Sequence, residues 1–190
     1  MSKTCRRVVT AVGVSAMLVA HGGPRARAQA GAPAAPAPAK SLVDAATGRA
    51  RADGKVVLIE FGASWCVWCR SFDAFVHAPQ TRAIVADNYI VVNLTVQERD
   101  DKKALENPGG AELMAGWGGA KSGLPFYVFL NGSGKKIADS NAMPDGTNVG
   151  FPGNANELQV FMRLVDTTAP RLAKADRVTL VSYLNGVVKP

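Results

Sequence analysis

Residues 55–62, Lys-Val-Val-Leu-Ile-Glu-Phe-Gly, are an almost unbroken apolar run rich in β-branched residues. A run with no polar face suits a central strand covered on both sides, not one with a face in water. Such a strand demands packed layers on either side of a sheet, and the rest of the chain supplies them. Cys66 to Asn88 is helical in period but contains Pro79, which predicts a helix to about Val76, a break, and a second helical piece ending near Asn88. Tyr89 to Val96 reads as a second buried strand and Leu124 to Leu130 as a third. Asn131-Gly-Ser-Gly134 has hairpin chemistry leading into a fourth strand over 135–140, which makes the third and fourth strands antiparallel neighbours.

Before the first strand, Ser41 to Asp53 predicts a short helix with Ser41 as N-cap, Leu42, Ala45 and Ala46 on one face, and Asp53-Gly54 as the stop. The charged segment Gln97 to Gly110 is expected to be a solvated loop, followed by a short helix over 111–116. Glu157 to Thr168 and Lys174 to Leu184 predict two amphipathic helices separated by Pro170. This order of strands and helices implies an α/β domain built on a central mixed β-sheet flanked by helices on both faces.

The N-terminus reads as an export signal. Lys3, Arg6 and Arg7 precede an apolar run from Val8 to Ala20 and a small-x-small site at Ala26-Arg27-Ala28, so residues 1–28 are expected to be a signal peptide cleaved near Ala28. The apolar run is shorter than the roughly 20 residues a membrane span needs. Arg6-Arg7 hints at twin-arginine export, but the surrounding pattern is incomplete and general secretion fits better. The absence of a cysteine at the cleavage site argues against a lipid anchor. Residues 29–40, alternating Ala and Pro, are expected to be an extended tether, leaving 41–190 as one domain. The expected location is exported, periplasmic or otherwise extracytoplasmic, with no stable membrane insertion of the mature chain. Loss of five basic and no acidic residues with the signal takes the formal charge from +7 to +2. The basic balance therefore belongs mostly to the signal, and nucleic acid is not an expected partner.

The mature chain keeps two cysteines, Cys66 and Cys69, and one histidine, His77, which reads as structural or surface. A Cys-x-x-Cys opening a helix after a buried strand is the arrangement thiol–disulfide exchange favours. The helix N-terminus stabilises a thiolate at Cys66, and the spacing places Cys69 one turn away, near enough to resolve a mixed disulfide. Cys66 is thus the candidate nucleophile and Cys69 the resolving residue, with the redox-active disulfide replacing any bound cofactor. Haem attachment would need His where Arg70 stands, and a zinc site lacks a second cysteine pair. A structural disulfide is the competing reading, although so small a loop restrains the unfolded chain little.

The strand VVLIEFGASWC, the Trp65-Cys66-x-x-Cys69 core, the strand ending VVNLTV, the Gly123-Leu124-Pro125 entry to the third strand about 55 residues later, and the following hairpin resemble the thioredoxin superfamily, specifically its exported members. The resemblance covers most of residues 41–169 and implies a thioredoxin-like fold with an extra C-terminal helix. Carried over by position, Pro125 corresponds to the cis-proline that packs against the cysteine pair and leaves backbone groups free to align an extended substrate; a trans proline at a strand start is the alternative. Glu60, six residues before Cys66, matches the buried acid placed behind the resolving cysteine, where desolvation would suit it to take a proton from Cys69. The alternative for Glu60 is a strand-end carboxylate reaching solvent or a lysine.

Val67-Trp68 stands between the cysteines where thioredoxin has Gly-Pro, which leaves the direction of electron flow open. Trp65 and Trp68 are candidates for an apolar rim that contacts partner proteins, one of them alternatively serving as ordinary packing. The expected function is an exported thiol–disulfide oxidoreductase acting on protein thiol and disulfide substrates, leaning towards reductase and recharged by a membrane-bound redox partner. Its rival is a non-catalytic binding module with a closed, structural bridge.

Overall fold

The structure, a computed structural model, describes residues 35–187. The expected signal peptide, its cleavage site and the tether up to residue 34 lie outside the described residues. A four-stranded sheet of order β2-β1-β3-β4 forms the centre. Strand β1 (Val56–Gly62) pairs in parallel with β2 (Tyr89–Thr95) on one side and antiparallel with β3 (Phe126–Leu130) on the other. Strand β4 (Lys136–Asp139) completes the sheet antiparallel to β3. The mixed sheet with helices around it is the expected architecture, and the unbroken apolar run occupies an interior position because only there are both faces dry.

Side chains of β1 alternate between two cores. Val57, Ile59 and Phe61 join Val43, Ala46 and Ala50 of helix α1 (Ala39–Asp53) and Met114 of α4 (Gly110–Gly116). Leu58 joins Phe72 and Phe75 of α2 (Val67–His77), Ile84 and Val85 of α3 (Arg82–Asn88), Phe161 of α5 (Ala155–Thr168), and Leu180 and Leu184 of α6 (Lys174–Val187). The two-residue period of a strand puts Glu60 on the same face as Leu58, towards α2.

Three local expectations are corrected. Helix α1 begins at Ala39, two residues before Ser41, with Pro38 at the N-cap position and no side-chain cap. The Ala39 amide donates to the Pro108 carbonyl (2.9 Å), so residues 39 and 40, expected at the end of the tether, belong to the helix instead. The buried face of α1 is Ala39, Val43, Ala46 and Ala50, while Ala45 is exposed and Leu42 only half-buried. Strand β3 starts at Phe126, after Pro125. The segment after β2 is no simple solvated loop: it contains a 3₁₀ turn, Asp100–Leu105, and it buries Glu98. Beyond Pro170, α6 closes the core through Leu180 and Leu184. Among the described residues, no helix is long and apolar enough to cross a membrane.

Candidate active site

Strand β1 ends at Gly62, the chain turns through Ala63–Trp65, and Cys66 takes the N-cap position of α2 in extended conformation. Its sulfur accepts the Cys69 amide at 3.0 Å, so the Cys66 side chain occupies the place where a helix presents unpaired N–H groups. Cys66 and Cys69 are joined as a disulfide, Cα atoms 5.3 Å apart. Both are buried, whereas Val67 and Trp68 between them are 62% and 50% exposed and Trp65 is also exposed, so the pair sits beneath an apolar rim. Trp65 is held by its indole N–H, which donates to the Gln97 carbonyl at 2.8 Å. Trp68 lies against Gly153, where an added Cβ would come within 3.1 Å of the ring.

The Leu124–Pro125 peptide bond is cis. Leu124 packs on Ala63, Cys66 and Cys69, which brings this loop to the pair. One side chain braces it: Asn148 Nδ2 donates to the carbonyls of Gly123 (2.7 Å) and Pro125 (3.0 Å). A cleft of about 680 Å³, lined by Trp68, Leu124, Pro125, Asn148 and Phe151 among others, opens beside the rim.

Glu60 is 6% exposed, and its Oε1 has no hydrogen-bond partner. Burial, and secondarily the negative charge of Asp73, push its pKa up from 4.5 to about 8. Glu60 and Cys69 line one cleft with Asp73, Arg70 and Glu98. The carboxyl folds back over Gly62, where a Cβ would meet Oε1 at 2.6 Å; glycine at this position leaves the acid its room. His77 is exposed, its ring Nδ1 lying 2.9 Å from the Asp73 carbonyl.

Two residues of this region carry no signal in a linear reading. Glu98 lies in a run of charges and so looks solvated, yet it is 3% exposed and grips Ser64 through both oxygens, from the amide (2.5 Å) and the hydroxyl (2.9 Å). The clue available is position: Glu98 follows the carboxyl end of β2 and Cys66 follows that of β1, and parallel strands place those ends together. Asn148 sits in a Gly/Pro/Asn-rich stretch with nothing to distinguish it.

Residues 39–132 match a family model described as thioredoxin-like. These residues form a thioredoxin-like domain. Among solved structures, this thioredoxin-like chain is similar to a disulphide isomerase from Xylella fastidiosa Temecula1, at 19% identity, covering 78% of this chain and 90% of that one with a TM-score of 0.48. It is also similar to the oxidised C-terminal domain of DsbD from Neisseria meningitidis (19% identity, 56% and 84% covered, TM-score 0.40) and to a thioredoxin from Thermus thermophilus (17%, 71% and 90%, 0.41). No curated protein matches the chain. A closely spaced cysteine pair on a thioredoxin-like fold is the equipment of thiol–disulfide exchange in general. The family match ends at Gly132, so β4, the Asn148 loop, α5 and α6 lie beyond it.

Proposed function

We propose that this protein is an exported thiol–disulfide oxidoreductase that reduces protein disulfides through Cys66 and Cys69. The observation that carries this reading is the placement of the Cys66 sulfur at the N-terminus of α2, accepting the Cys69 amide. There the helix dipole and the amide favour a thiolate over a thiol, and thiolate is the attacking species.

In the reduced protein, the Cys66 thiolate attacks one sulfur of a substrate disulfide; a Cys66–substrate S–S bond forms and the other substrate sulfur leaves as a thiolate, which takes a proton from water. Cys69 then loses its proton to ionised Glu60 and attacks the Cys66 sulfur. The Cys66–Cys69 disulfide forms and the second substrate sulfur departs, protonated in turn. The substrate gains two electrons and two protons; the pair supplies both electrons and, from Cys69, one proton, and water supplies the other. Glu60, with a pKa of about 8, is mainly protonated at neutral pH, so its ionised fraction, and with it the resolving step, grows towards pH 8. Leu124, which packs on the pair, and Pro125, which follows it, align an extended substrate segment, while Trp65 and Trp68 provide the apolar rim it docks against. Residues 1–28 direct export, and a membrane-bound partner returns electrons to the pair.

The test is the reduction potential of residues 29–190, measured by equilibration with defined thiol/disulfide ratios and trapping of free cysteines. A value near about −270 mV is expected for a reductase; one near about −120 mV would reverse the direction and make the protein a disulfide donor. A pair that cannot be reduced without unfolding the domain would leave the non-catalytic binding module as the answer.

A further inference from the structure

The turn that delivers Cys66 is gripped by the segment that follows β2, and one buried charge makes the main contact. Gln97 adopts φ 53, a left-handed conformation rare for a residue other than glycine. That kink brings two groups to bear on the turn: the Gln97 carbonyl accepts the Trp65 indole N–H, and the Glu98 carboxylate accepts both the amide and the hydroxyl of Ser64. Glu98 is itself braced, its amide donating to Glu106 Oε1 at 2.6 Å.

The other charges facing this turn are Lys102, whose Nζ lies 3.3 Å from Ser64 Oγ, Arg70 of α2, which donates to the Ser64 carbonyl at 3.2 Å, and the Lys103–Glu106 pair at 2.9 Å. Beyond Cys69 stand Glu60 and Asp73. Lys102, Lys103 and Arg70 are exposed and screened by water and salt, whereas Glu98 is buried and keeps more of its field. Two residues of chain span at most about 7 Å, so a charge hydrogen-bonded to Ser64 acts on the backbone of Cys66 from within about 10 Å.

Resting on the redox reading of the cysteine pair, we infer that Glu98 is a positioning residue with a second effect: it orients the Ser64–Cys66 turn, and its negative charge disfavours the Cys66 thiolate, biasing the pair towards the disulfide and so towards electron donation. Reduction of the pair takes up two electrons and one proton where Cys66 stays ionised, two where it does not, and a destabilised thiolate makes the reduced form the stronger reductant. Lys102, which faces the same turn, acts in the opposite sense and more weakly.

The measurement is the equilibrium of the full mature chain with reduced and oxidised glutathione, together with the pH titration of Cys66 alkylation, in Glu98→Gln and Lys102→Met. Glutamine keeps the shape and one accepting oxygen but not the charge. Glu98→Gln is expected to shift the equilibrium about tenfold towards the reduced pair, equivalent to about 30 mV, and to lower the pH at which Cys66 reacts. Lys102→Met is expected to shift it severalfold the other way, an effect that fades in high salt. A folded Glu98→Gln with wild-type equilibrium and alkylation profile overturns the inference, because a bracing role alone would lower thermal stability without moving either readout. If Glu98→Gln does not fold, a Lys102→Met equilibrium that is unchanged, or shifted towards the reduced pair, overturns it equally. A wild-type pair that exchanges with glutathione in neither direction instead removes the redox reading beneath it.

Discussion

At the scale of single residues, two carboxyl groups, Glu60 and Glu98, are buried in this chain. Glu60 binds its proton more tightly in the folded chain than in the unfolded one, with a pKa of about 8 against 4.5. Its contribution to stability is therefore complete below about pH 4.5 and is lost as pH rises through about 8, where a buried charge must form. Glu60→Gln cannot ionise and escapes this loss. Urea unfolding at pH 5, 7 and 9 is expected to show the variant gaining on the wild type as pH rises, by a few kcal/mol at most, since a tenfold change in proton affinity is worth about 1.4 kcal/mol. A stability difference that stays flat across that range would mean the carboxyl is hydrated. Glu98, equally hidden, differs in having both oxygens satisfied by Ser64.

Among the elements, strands and helices are legible in the sequence and the segments joining them are not. The continuous run of β1 and the Pro79 break between α2 and α3 are short-range patterns, readable because burial on both faces and a missing amide leave marks in consecutive residues. The Asn148 loop works through partners 23 and 25 positions away, so no local pattern announces it. Asn148→Asp removes the amide donor and sets a carboxylate against the Gly123 and Pro125 carbonyls. It is expected to cost about 1–3 kcal/mol, seen as a lower thermal midpoint. An unchanged midpoint would show that the loop around Pro125 holds its shape unaided. The start of α1 escapes a local reading for a related reason: Ser41 looks like a cap, but the helix is anchored earlier by the Ala39 amide on Pro108, far along the chain.

For the molecule as a whole, the last two helices are part of the core and not an appendage. Phe161 packs edge-on against Phe72, Phe75 and Tyr127, and Leu184 is fully buried although it lies far beyond the family match. Leu184→Ala is expected to destabilise the domain by about 2–4 kcal/mol in denaturant titrations followed by fluorescence. A loss under about 0.5 kcal/mol, the size of an ordinary surface change, would mean that α6 is docked loosely and that the domain folds without it.

The order of strands and helices, the cysteine pair at a strand-to-helix junction and the acid six residues before it were determined by the sequence alone, because each depends on neighbours within a turn or a strand. The tertiary structure decided what surrounds them: that Glu60 is buried beside a cleft it lines with Cys69 and Asp73, that Glu98 is buried against Ser64, and that Asn148 holds the loop of Pro125. Desolvation and charge act through distance in space, and the groups responsible come from segments that only folding brings together.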